Sequence, residues 1–195
     1  MHRVSFLCTF LFFSGCVNAG DDGFKPLFSG KDLSGWTGTK EQMEHWKTED
    51  GVLILDGKPG KQSRLSTEKT FGDFELVFDW MPSGGTKYTA LRYRGNGEET
   101  GEVSGLITLS PGGEVSVCSP PTATIAAEKV ELNAGKWNRV NARIKKQRVN
   151  VRINGKTAID NFPLPSLEGP GAISFDGEGA MRIRNVFIRE LKDGE

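Results

Sequence analysis

Apolar and polar residues alternate with a period of two through much of the chain. In Phe74–Trp80, Phe74, Leu76, Phe78 and Trp80 share one face and Asp79 lies on the other. Val140, Ala142 and Ile144 repeat the pattern, as do Val149, Val151 and Ile153. Asn154-Gly155 follows directly, a strong hairpin signal because both residues tolerate positive φ. The spacing predicts an antiparallel hairpin over 148–160. Val52–Leu55, Ala90–Arg94, Gly105–Leu109, Glu114–Val117, Ala172–Phe175 and Met181–Ile188 bring the total to about ten to twelve strands. The last run changes phase, with Ile183 apolar in one register and Val186 and Ile188 in the other, which a bulge near Arg184-Asn185 would reconcile. Glu41–Trp46 fits one helical turn, and Ala126–Leu132 fits either class. Short strands separated by Gly, Pro, Asn and Asp turns predict an all-β fold, a two-sheet sandwich or jelly roll.

The length, 195 residues, suits one domain, placed at 23–192. Acidic and basic residues are equal in number, 25 each, which argues against a nucleic-acid partner held by bulk charge. The basic run Arg143–Arg148 reads as a solvated hairpin tip. At the N-terminus, Arg3 and the apolar stretch Val4–Phe13 have the form of an export signal, too short to span a bilayer. Val17-Asn18-Ala19 offers a signal-peptidase site, which makes 1–19 the signal peptide and Gly20 the mature start. Phe13-Ser14-Gly15-Cys16 resembles a bacterial lipobox and would leave Cys16 lipid-anchored. Either reading predicts an exported protein, periplasmic or extracellular, with no transmembrane segment. Cys118 is then the only thiol in the body of the domain, so the fold has to stand on its core without an internal disulfide.

Candidate chemistry is narrow. His45 is the only histidine after the signal and lacks a zinc-ligand pattern, so no cofactor is expected. A calcium site built from loop oxygens would leave no motif. The chain has no phosphate-cradling or dinucleotide loop. What remains is carboxylates, arginines and aromatics, the usual equipment for carbohydrate ligands. Glu98, Glu99 and Glu102 lie in a Gly-rich loop, and Asp176 and Glu178 in Ser-Phe-Asp-Gly-Glu-Gly. Trp36, Trp46, Trp80 and Trp137 read as core or lid residues, and Tyr88 and Tyr93 as stacking platforms for a sugar ring.

Several segments resemble, in order, the secreted 3-keto-disaccharide hydrolases, also described as 3-keto-α-glucoside 1,2-lyases and 3-keto-2-hydroxyglucal hydratases. They are GFKPLFSGKDLSGW (23–36), DGVLIL after Trp46, RLSTEKTFGDFELVFDW (64–80), AGKWNRVNARI (134–144), VRINGKTAID (151–160) and GPGAISFDGEGAMRIRNVFIREL (169–191). The resemblance implies a concanavalin A-like jelly roll of two antiparallel sheets. Arg92, Arg184 and Asn185 match family positions. The departures cluster elsewhere. Thr86-Lys87-Tyr88 replaces Asn-Ser-Gly, and Val103 and Gly105 fall where the family carries polar residues. Asp176 and Glu178 stand where many members have Gln and His.

The implied reaction starts at a glucoside oxidised at C3, whose ketone acidifies the C2 hydrogen. The roles implied here are Glu102 or Asp176 as base, Glu178 as acid, and Arg92 or Arg184 at the enolate oxygen, a place a divalent metal could also fill. The alternative is a non-catalytic glycan-binding module using Tyr88, Tyr93 and Arg92. A surface adhesion domain is a third reading. The ligand in the first two is a small molecule or oligosaccharide.

Overall fold

The computed structural model describes residues 23–58, 62–95, 104–119, 122–163, 169–192 and 194. The export signal with its two cleavage points at Cys16 and Gly20 lies outside the described residues, as do Glu98, Glu99, Glu102 and Val103. Two antiparallel sheets form a jelly-roll sandwich. The first runs β13 (Lys156–Pro163), β12 (Arg148–Ile153), β11 (Asn138–Lys145), β6 (Phe74–Pro82), β15 (Met181–Glu190), β4 (Val52–Leu55), β3 (Trp46–Glu49), and β1 (Lys25–Pro26) also pairs with β15. The second runs β10 (Thr122–Lys129), β9 (Glu114–Ser119), β8 (Gly105–Leu109), β7 (Tyr88–Gly95), β14 (Gly171–Glu178), β5 (Gln62–Phe71), β2 (Trp36–Thr37).

The core lies between the sheets, filled by alternate residues of each strand. Phe74, Leu76, Phe78 and Trp80 of β6 are fully buried and face Leu91 and Tyr93 of β7 and Phe175 of β14. Phe78 meets Phe175 edge-on at 5.1 Å, Trp36 stacks on Phe175 at 5.7 Å, and Phe74 meets Tyr93 edge-on at 6.4 Å. The Trp80 indole N–H crosses the core to donate to Thr89 Oγ1 at 3.0 Å. His45 is buried against Asp56, Nδ1 to Oδ2 at 3.2 Å, which gives it a structural partner.

The hairpin β12–β13 turns at Asn154 and Gly155, with φ of 52° and 79°. The bulge in β15 lies between Arg184 and Phe187, where Asn185 takes φ 53°. It lets Ile183 and Val186 both point inward despite their odd spacing. Lys40–Met43 forms one helical turn, α1, closed by a capping box between Thr39 and Gln42, and Trp46, at the end of the expected turn, instead begins β3. The ambiguous segment 126–132 is strand as far as Lys129. Trp137 is half-exposed, lying 4.1 Å over the Arg184 guanidinium outside the first sheet, unlike the three buried tryptophans. No helix of the described residues is long and apolar enough to cross a membrane.

Candidate functional site

The outer face of the second sheet gathers most of the described candidates. On β14, Phe175 points into the core, so Asp176 comes up on the opposite face one residue later and Glu178 two beyond it. The register sets Asp176 opposite Ala90 of β7 on one side and Arg64 of β5 on the other. Arg92 stands opposite Ser174, one step diagonal from Asp176. Glu178 lies between Tyr88 and Gln62.

Asp176 is saturated. Its Oδ2 accepts from Arg92 Nε at 2.8 Å and lies 3.7 Å from Arg64 Nε, while Gln62 Nε2 reaches Oδ1 at 2.9 Å and Oδ2 at 3.1 Å. The carboxylate is only 1% exposed, and the two arginines beside it are 20% (Arg92) and 14% (Arg64). A carboxylate so enclosed holds guanidiniums in place; it is poorly placed to take a proton from a ligand. Arg92 also reaches Ser104 Oγ, itself buried, at 3.5 Å.

Glu178 is the accessible acid, 22% exposed and bridged to Lys87 Nζ at 2.5 Å. Beside it, Tyr88 is half-buried. Burial, followed by the charges of Asp176 and Glu178, raises its phenol above the usual range against the opposing pull of Arg92 and Arg64. Tyr88 therefore keeps its proton and can donate it in a hydrogen bond.

Two candidates separate from this group. Tyr93 is fully buried in the core, so it is not a sugar platform. Five residues from Tyr88 along an alternating strand, it has to face the other way. Arg184 lies on the other sheet, where β15 sets it opposite Asp79, with Nε 3.4 Å from Asp79 Oδ2. It is not brought together with Arg92 and Asp176, because the two sheets present opposite outer faces. Arg64 and Gln62 were not anticipated. Ser63, which lies between them, and Leu65, which follows Arg64, are both buried, so Gln62 and Arg64 turn outward. No group of three or more His, Cys, Asp or Glu side chains that could hold a metal ion occurs among the described residues.

The fold is similar to that of a Parabacteroides distasonis ATCC 8503 protein named as a putative glycosyl hydrolase, with a TM-score of 0.66, 20% identity, and 87% of this chain and 94% of that one covered. It is also similar to the carbohydrate-binding module CBM66 of Bacillus subtilis, with a TM-score of 0.62, 17% identity, and 80% and 96% covered. A Bacillus licheniformis β-glucanase has a TM-score of 0.58 at 10% identity, with 76% and 83% covered. No curated protein matches the chain. The family model of the 3-keto-alpha-glucoside-1,2-lyase-like domain matches residues 23–189, nearly the whole described chain, and the protein belongs to that family.

Proposed function

We propose that the protein is an exported carbohydrate-binding domain whose ligand sits on the outer face of β5, β14 and β7, and that its activity on the 3-keto-glucosides of its family is weak. The saturated state of Asp176 carries this reading. Family chemistry needs a base that removes the C2 proton, so that the C–H electron pair forms the enolate of the 3-ketone. Collapse of the enolate makes the C1=C2 bond and expels the aglycone oxygen from C1, which leaves with a proton. Water then adds to the 2-hydroxyglucal. Arg92 is suited to hold the enolate oxygen, and Tyr88 and Glu178 to meet hydroxyls at the rim. Asp176, with both oxygens engaged and no solvent access, is not suited to the base role. Losing a positioned base forfeits roughly a hundred- to ten-thousand-fold in rate.

A second reading has its own support. Glu178 is exposed enough to act as the base and is ion-paired with Lys87. One experiment separates the two. The purified protein is offered 3-keto-sucrose and 3-keto-trehalose, with turnover followed by chromatography and binding by calorimetry. Binding weakened at least about tenfold in Arg92→Ala, with slow or absent turnover, is the expected result. Turnover at ordinary enzymatic rates that Glu178→Gln abolishes would overturn the binding reading and make the protein a lyase.

A further inference from the structure

The outer face of the first sheet, on the far side of the sandwich from this site, concentrates arginine. Arg139 and Arg143 on β11, Arg152 on β12 and Arg182, Arg184 and Arg189 on β15 alternate with buried core residues such as Val140, Val151 and Ile183. Two carboxylates are shared among four of these cations. Asp79 takes Arg139 at 2.8 Å and Arg184 at 3.4 Å; Glu75 takes Arg189 at 2.7 Å and Arg143 at 3.6 Å.

Between β6, β11, β12 and β13 this face opens into a cavity of about 360 Å³, within the range of small-ligand sites. The register sets Asn141 opposite Arg152 and Arg143 opposite Asn150 at its floor. Arg152 is exposed and, among the described residues, has neither an ion pair nor a hydrogen bond. Glu75 is shared among Arg189 at 2.7 Å, Asn141 Nδ2 at 2.6 Å and Arg143 at 3.6 Å, so one carboxylate serves two guanidiniums. Asn141, having given its amide N–H to Glu75, presents Oδ1. Asn150 accepts the Asn161 N–H on Oδ1 at 2.8 Å and presents Nδ2. The remaining carboxylate is Asp160, which is exposed.

We propose that this cavity binds an acidic saccharide residue, with Arg152 and Arg143 on its carboxylate or sulfate and Asn141 and Asn150 on its hydroxyls. Planar guanidiniums pair with carboxylate or sulfate oxygens, whereas a neutral sugar leaves Arg152 uncompensated. A single-stranded nucleic acid is disfavoured, because no aromatic side chain lines the cavity for bases to stack on.

The test is affinity electrophoresis of the full chain in gels containing polygalacturonate, dextran sulfate or neutral dextran, at two salt concentrations. Retardation by at least one acidic polymer, absent with dextran, is expected, and comparing the two distinguishes carboxylate from sulfate. Arg152→Ala should weaken it at least about tenfold and Arg152→Lys less, because lysine keeps the charge without the two-pronged donor. Lys129→Ala, which removes an exposed cation on β10 of the other sheet, should leave it unchanged. Equal retardation by dextran, by RNA or by anionic lipid vesicles would overturn the proposal. So would wild-type retardation of Arg152→Ala, or none by either acidic polymer. Because Arg152 is exposed, a melting curve should show the variant folded.

Discussion

Gly105 is a glycine because Tyr93 lies on it. The two are paired across β7 and β8, and a Cβ at Gly105 would come within 2.2 Å of the tyrosine ring. Gly105→Ala would push a fully buried ring out of its place against Phe74. It is expected to cost roughly 1–3 kcal/mol, the usual penalty for overpacking, read from a urea midpoint. The Tyr93 hydroxyl is a separate matter. It is buried with no hydrogen-bond partner among the described residues, and burial pushes its phenol far above the usual range. An unsatisfied buried polar group contributes nothing by being there. Tyr93→Phe should therefore be neutral or stabilising by up to about 1 kcal/mol, and should leave sugar binding intact. A loss of binding in that variant would return Tyr93 to the site.

Strands and turns were the most legible elements, and turn chemistry is testable at the same scale. Gly155 has open space around it but a φ of 79°, so Gly155→Ala carries only backbone strain, about 1 kcal/mol by thermal melting. The Asn154-Gly155 hairpin and the β15 bulge could be read from sequence because both leave a local mark: a turn dipeptide and a phase change. β5 left none. Ser63, Ser66 and Thr67 occupy buried positions there, satisfied by hydrogen bonds to Gln42 O, Ser174 Oγ and the Ile173 N–H. With polar residues inside, alternation does not show, and Gln62 and Arg64 were missed with it. Parity alone could have separated Tyr88 from Tyr93. The placement of Arg184 was not local information at all, because which sheet β15 joins is decided by its pairing with β6, more than a hundred positions earlier in the chain.

The β6–β11–β15 face also sets an acid limit on stability. For Asp79 and Glu75, burial works to raise the carboxyl pKa, but hydrogen bonds from Arg139 and Asn185 to Asp79, and from Asn141 and Arg189 to Glu75, outweigh it. With the arginine charges they hold both groups below their ordinary values. A depressed native pKa contributes stability that is complete above the unfolded values, about 3.9 for Asp and 4.3 for Glu. That stability is lost as pH falls through the lower native values. Urea midpoints should therefore be flat near neutrality and drop below about pH 4. Asp79→Asn with Glu75→Gln should lower the midpoint at pH 7 and flatten the drop. An unchanged acid slope would show that other carboxylates dominate.

At the scale of the whole molecule, both sheets are closed by strands remote in sequence. Glu75 pairs with Arg189 in one, and Ser66 with Ser174 in the other. The family match also runs to residue 189, so the last strand belongs to the architecture. β15 is not an edge that could fray away. It sits between β6 and β4 and supplies Ile183, Val186 and Ile188 to the core. Without it, β6 would expose a row of unpaired backbone donors and acceptors, and the aromatic centre around Phe78 and Trp80 would lose part of one wall. Pairings this distant also delay folding until the C-terminal strand is available. Removing residues 181–195 is therefore expected to abolish cooperative unfolding and leave a protease-sensitive chain. Ile183→Ala in the full chain should stay folded but lose roughly 2–5 kcal/mol. Limited proteolysis and urea melts of both proteins decide it. A cooperative transition in the truncated chain would mean that the second sheet and the side chains on its outer face can stand without the first sheet complete.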